Sequence, residues 1–299
     1  MKNQLKTVLL LGILSTLLVT LGGALGKGFL PIALLLAVVM NVGAYFFSDR
    51  LVLAMHGARE VSPSEAPGLH RMVAELAHSA QLPMPRVFLM DEAQPNAFAT
   101  GRNPDKGVVA VTTGLLHLLN ERELRGVIAH ELAHIKNRDI LLSTIAATVA
   151  AAVTYLAHAA SFATALAGAR SDDDSEEGFS PIQSLMLALV APIAATLIQL
   201  GISRSREFLA DETGARISGD PEALARALEK LQAGAEHIPA PPRPATASLF
   251  IVNPFAGVEG ILNLFSTHPR IEERARRLRA LATRPAPYSS WDAPSARFG

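Results

Sequence analysis

The stretch "GVIAHELAHIKNRD", residues 126–139, decides how the rest of the chain is read. It sets His130, Glu131 and His134 in an H-E-x-x-H frame. Residues four apart on an α-helix share a face, so the two imidazoles can present nitrogens to one ion. Glu131 sits a step round from His130, where it reaches a water on that ion without ligating it, and the geometry suits zinc. The apolar flanks "GVIA" and "LA" predict a helix half buried against a core, where idle charges would be costly. Asn120 with Glu123 three residues on supplies a capping box at its start. The chain has no cysteine, which removes disulfides and thiolate ligands together, so a metal here must be held by His, Asp or Glu.

Catalytic zinc usually has three protein ligands and a water. The residues after His134 are "IKNRDI", so the third ligand must come from elsewhere. The segment "SRSREFLAD" offers Glu207, with Asp211 four residues on to accept the distal N–H of a ligand histidine and fix its ring. Asn137 is a second candidate for that supporting role; for it and for Asp139 a helix-ending role weighs equally.

A run that reads as membrane, "IAATVAAAVTYLAHAA", follows almost at once. Hydrophobic residues make up 49% of the 299 and charged residues 18%, and segregation explains both values. Val8 to Leu25, Gly28 to Phe47, Ile140 to Ala169 and Ser180 to Ile202 carry no charge, and each is about long enough to cross a hydrocarbon core as a helix. The first run is long for a secretory signal and a second follows immediately, so it is expected to stay. The third is rich in alanine and carries His158, which fits a tilted or partly protein-packed span. Lys2, Lys6 and the many arginines of 49–139 and 203–299 place the large polar segments on the cytoplasmic side. The acidic "DDDSEE" then falls in an external turn. Two crossings return the chain to its starting side, so His134 and Glu207 can meet. Zero formal net charge argues against a nucleic-acid partner.

Between these runs the pattern is that of a soluble domain. Helices are predicted over "PGLHRMVAELAHSAQLP", over "SRSREFLADETGARIS", and over "DPEALARALEKLQAGA" with Asp220 as cap and Pro221 at its first position. A short helix near 258–264 and a charged one from Pro269 to about Leu281 follow a proline-rich loop. The β-rich "RVFLM" (86–90) and "GVVAVTT" (107–113) predict two short strands around the loop "DEAQPNAFATGRNPDKG". An exposed strand edge can hold an extended substrate by its backbone. Val109 and Val111 in the second strand, and Asn96, Ala97 and Phe98 in the loop, are the candidates by position.

"PNAFATG", "HELAHIKNRD", "SRSREFLAD" and "STHP", in this order among four hydrophobic segments, resemble the HtpX family of membrane-bound zinc metalloproteases over residues 1 to about 283. The resemblance implies an α-rich integral membrane protein whose four segments carry an α+β zincin-like protease domain. It implies a bacterial inner-membrane endopeptidase, its site towards the cytoplasm, that cuts misfolded membrane proteins. His130, His134 and Glu207 would be the zinc ligands and Glu131 the catalytic residue. The organisation expected is a hairpin at 1–48, protease segments at 49–139 and 203–283, two membrane runs with the acidic turn at 140–202, and a flexible tail at 284–299. Zinc would lower the pKa of its water towards about 7 while Glu131 takes the proton. The oxyanion needs a further donor. The three tyrosines fall in membrane runs or the tail, so His268 in "STHPR" is the candidate, near the active site by the same resemblance, with Arg270 and Arg206 behind it. A transporter with structural zinc is the main rival, but the best polar constellation lies outside the apolar runs. Against a zinc-stabilised scaffold stands the unliganded Glu131.

Overall fold

The structure is a computed structural model, which describes residues 2–25, 30–149, 204–237, 249, 251 and 269–283. Residues 150–203, with most of the third and fourth apolar runs and the acidic turn, lie outside the described residues. So do His268, the segment 258–264 and the tail from 284.

Two helices open the chain, α1 (Lys2–Leu25) and α2 (Leu30–Met55), and pack against each other as a hairpin. Asn41 Nδ2 donates to Ser15 Oγ across it at 2.7 Å. Helix α2 has a mean hydropathy of 2.1 and leaves large apolar side chains outside, Leu35 at 65% and Val39 at 57% exposure. A soluble core helix would bury that surface. Among the described residues α2 alone reaches the length and hydropathy of a membrane span, with shorter apolar helical stretches at Leu5–Thr16 and Ile140–Val149.

Four strands, β1 (Arg59–Glu60), β2 (Arg86–Met90), β3 (Ala97–Thr100) and β4 (Val108–Thr112), form one sheet in the order β1-β2-β4-β3. β2 and β4 run parallel in register from Arg86 opposite Val108 to Met90 opposite Thr112. β3 returns antiparallel along the other edge of β4, Ala97 opposite Val111 and Thr100 opposite Val108. The turn between them needs Gly101 at φ +133°, where a Cβ would stand 2.3 Å from the Lys106 carbonyl oxygen. The loop expected to separate two strands thus holds a third. "AFAT" shows no polar alternation because all four residues are buried.

The helices of the domain are α3 (Pro67–Ser79), α4 (Thr113–Leu118), α5 (Glu121–Lys136), α6 (Ile140–Val149), α7 (Arg204–Ser218), α8 (Pro221–His237) and α9 (Ile271–Ala282). Both halves of the Asn120–Glu123 capping box form at the start of α5. Asp220 Oδ1 accepts the Ala223 N–H at 3.0 Å to cap α8. Alternate residues of β4 divide the protein: Val109 and Val111 face the core of α3, α5, α8 and α9. Val108 and Ala110, with Phe88 and Phe98, face Val52 and Leu53 at the end of α2 and Ala147 of α6. The sheet is therefore packed between helices α3, α5, α8 and α9 on one face and α6 with the end of α2 on the other. α6 joins the hairpin through Leu142, Ile145, Ala146 and Val149 against Leu10, Leu14, Leu18 and Ala37.

Candidate metal centre

Helix α5 carries His130 and His134 one turn apart, and their Nε2 atoms lie 3.2 Å from each other. α7 crosses this face and brings Glu207, with Oε2 3.8 Å from His130 Nε2 and Oε1 3.6 Å from His134 Nε2. One donor atom from each residue falls within a 4.8 Å cluster. Tetrahedral zinc with bonds of 2.0–2.1 Å separates its ligand atoms by about 3.3 Å. The donor set and its spacing fit that ion. The two helices approach so closely because residue 214 is glycine: a Cβ there would stand 2.8 Å from His130 Cα.

A second layer of side chains holds the ligands. Asp211, one turn after Glu207, places Oδ1 3.0 Å from His130 Nδ1, close enough to pair although off the ideal hydrogen-bond line. Arg274 of α9 grips that aspartate twice, Nε to Oδ2 at 2.8 Å and Nη2 to Oδ1 at 2.7 Å. Its Nη1 donates to the Ile251 carbonyl at 3.0 Å and lies 3.5 Å from Glu207 Oε2. On the other ligand, Asp139 Oδ2 stands 3.4 Å from His134 Nδ1. A carboxylate behind a metal-bound imidazole fixes its tautomer and raises its basicity.

Glu131 ligates nothing in this arrangement. Burial pushes its carboxyl up to about 7, with the charge of Glu207 adding to the rise and His134 and the Ala99 N–H opposing it. That is the range in which a carboxylate works as a general base at neutral pH. Burial likewise holds His130 below its usual value. For His134 burial acts the same way, yet the carboxylates of Asp139, Glu207 and Glu131 outweigh it and lift the imidazole to about 9. The pocket thus calls for positive charge at His134. Formal charge points the same way: Glu131, Asp139, Glu207 and Asp211 are all buried, against the guanidiniums of Arg206 and Arg274. A dication here would offset the excess of buried carboxyl groups over the two guanidiniums.

The family comparison adds to this geometry. The model of peptidase family M48 matches residues 63–282. Three relatives, each named a protease HtpX homolog, cover nearly the whole chain. That of Syntrophobacter fumaroxidans is 54% identical over 94% of this chain and 100% of its own length. That of Desulforapulum autotrophicum is 52% identical over 93% and 90%. That of Burkholderia thailandensis is 53% identical over 94% and 98%.

The chain belongs to peptidase family M48.

It is a metalloprotease, and its His-His-Glu cluster could hold the metal ion such an enzyme needs. The crystal structure of Ste24p from S. mikatae is also similar, at 18% identity and a TM-score of 0.48, over 93% of this chain and 65% of that one.

The M48 peptidase fold brings His130, Glu131, His134, Glu207 and Asp211 together and separates others from them. Asn137 caps the C-terminus of α5 and bonds no ligand; Asp139 reaches His134 instead, because the left-handed Arg138 turns the chain back towards the helix end. Val109 and Val111 are buried on β4, whose two edges are already filled by β2 and β3. They cannot receive a substrate backbone, and the strand edge near the site belongs to β3. There Ala97 and Phe98 are buried in the sheet, while Ala99 directs its N–H at Glu131. Asn96 is a structural tie: its N–H donates to Thr112 Oγ1, and its Oδ1 accepts the Ile251 N–H. Arg274 was missed by the sequence reading. Its signal was an arginine on the apolar face of α9, three residues after Ile271 and four before Leu278.

Proposed function

We propose that this metalloprotease holds one zinc ion on His130, His134 and Glu207 and cuts damaged membrane proteins at the cytoplasmic face of a bacterial inner membrane. The observation that carries the metal assignment is the convergence of three donors at the spacing zinc requires, with a buried, unliganded Glu131 beside them. Held by His130, His134 and Glu207, zinc would supply Lewis acidity, lowering the pKa of a bound water to about 7 and polarising the scissile carbonyl. Glu131 then accepts the proton of the attacking water and delivers it to the leaving amine. Asp211 and Asp139 keep the two imidazoles in the tautomers that leave Nε2 free. In this reading the edge of β3 that is unpaired among the described residues supports an extended chain beside Glu131.

The membrane part of the reading rests on α2, on the sheet face packed against the hairpin, and on the distribution of basic residues. Arg50 lies over Phe47 and Arg102 over Phe46, at 5.7 and 5.4 Å, a pairing suited to the boundary between lipid and water. The other three apolar runs would complete a multi-pass topology, with His268 beside the site. Because the chain lacks cysteine, single cysteines can be introduced without background. Ser79→Cys in the protease domain should resist a membrane-impermeant maleimide in intact cells, and Lys27→Cys between the first two runs should react. The opposite pattern would overturn the orientation.

A further inference from the structure

Two arginines have their guanidinium nitrogens buried at this centre, and they are bonded very differently. Arg274 spends its donors on Asp211 and the Ile251 carbonyl. Arg206, the residue before Glu207 in the first turn of α7, has Nε, Nη1 and Nη2 all buried with no hydrogen-bond partner among the described residues. The charges it feels most are the carboxylates of Asp139 and Glu207, and burial holds its pKa down against them. Yet Asp139 is directed at His134, and Glu207 at the metal ligands. A guanidinium taken from water without acceptors is strongly disfavoured. Strain of this kind at a reaction centre is offset when the missing acceptor arrives with the substrate.

The acceptor can be identified by chemistry. Anything cut here must set a peptide carbonyl beside the metal, and its oxygen gains negative charge as water adds to carbon. The Ala99 N–H of β3 points at Glu131, while Arg206 adjoins the ligand Glu207 in sequence and lies near the carboxylates of Asp139 and Glu207. A carbonyl attacked by water from Glu131 would then present its oxygen to the unpartnered guanidinium beside Glu207. No tyrosine among the described residues competes for this place, since Tyr45 is in α2. We infer that Arg206 is a substrate-contacting residue of this peptidase, donating to the scissile carbonyl oxygen as its charge develops. A desolvated, preoriented donor is most effective in such a low-dielectric site. The inference rests on the peptidase reading and on the proposed ligand set.

The test uses the full chain, purified in detergent and loaded with zinc, as wild type and as Arg206→Lys, Arg206→Gln and Arg206→Ala. A quenched fluorogenic peptide taken from a casein cleavage site of the wild type separates kcat from KM. Removing one such donor should lower kcat by about 10²–10³-fold with KM little changed. Zinc content and melting temperature should stay at the wild-type level, Lys should restore part of the rate, and added guanidinium should partly rescue Arg206→Ala. A tetrahedral phosphinic peptide should lose affinity in parallel with kcat. Wild-type kcat in Arg206→Gln overturns the inference. Loss of zinc or of melting temperature in all three variants also overturns it, by showing that Arg206 is structural. An inactive wild type would instead sink the peptidase reading itself.

Discussion

Arg274 shows what one buried side chain does at this centre. It is fully buried, and its two bonds to Asp211 keep that carboxylate charged beneath His130 although burial alone would protonate it. Removing one partner of such a pair leaves an uncompensated buried charge, at about 3–5 kcal/mol. Arg274→Ala should therefore lower the melting temperature markedly and weaken zinc retention against a chelator, and Arg274→Lys should recover only part of either. Unchanged zinc affinity in Arg274→Ala would show that the Asp211 contact does not hold His130. The pairing was not legible beforehand because its partners stand 63 residues apart. His130, Glu131 and His134 were legible because their spacing is local and set by the helix repeat, and Glu207 followed from its own partner four residues on. Asn137 and Asp139 could not be told apart by spacing, since the left-handed turn at Arg138 decides which of them points back to His134.

The elements of the site are fixed by close approach and by caps. Helices α5 and α7 touch through Gly214, and an added Cβ would meet the backbone of His130 at 2.8 and 2.9 Å. Gly214→Ala should separate the ligand helices, costing about 1–3 kcal/mol and reducing zinc affinity. Gly68 in α3 has open space around it, so Gly68→Ala should be neutral or slightly stabilising. Equal effects of the two substitutions, read by thermal melts and zinc competition, would count against the packing account. Asp220 at the start of α8 gives a pH-dependent case. Burial raises its pKa, but Arg122 and the Ala223 N–H outweigh this and hold it below 3.8. Its folded pKa is the depressed one, so its contribution to stability is complete above the unfolded value and is lost as pH falls through the folded one. Asp220→Asn keeps the cap and should remove that portion of the acid limb in urea titrations of the protein between pH 5 and 3; an unchanged limb would exclude it. Capping was readable from sequence for both α5 and α8 because caps are local. β3 was not, since a strand buried on both faces has no alternation to read.

Across the whole molecule, the sheet joins two environments. One face packs on the helices that carry the candidate metal ligands, and the other on the end of α2 and on α6. α6 is tied to both sides of the site: it starts next to Asp139, and its Thr144 Oγ1 lies 2.9 Å from Thr100 Oγ1 of β3. The sheet therefore links the centre to the apolar hairpin, as the proposed membrane substrates would require. In the proposed function a dication would also offset the carboxyl groups of the centre. Stripping the metal should lower the melting temperature, and zinc at about a thousand times its dissociation constant should restore roughly 4 kcal/mol. A chelated protein that melts as the loaded one does would remove the metal from the account of stability. The central claim concerns Glu131 and is tested most directly by comparing Glu131→Gln with the wild type, both purified and zinc-loaded, on casein. The variant should bind one zinc per chain and leave casein intact while the wild type cuts it. Casein cleavage by Glu131→Gln at the wild-type rate would contradict the account.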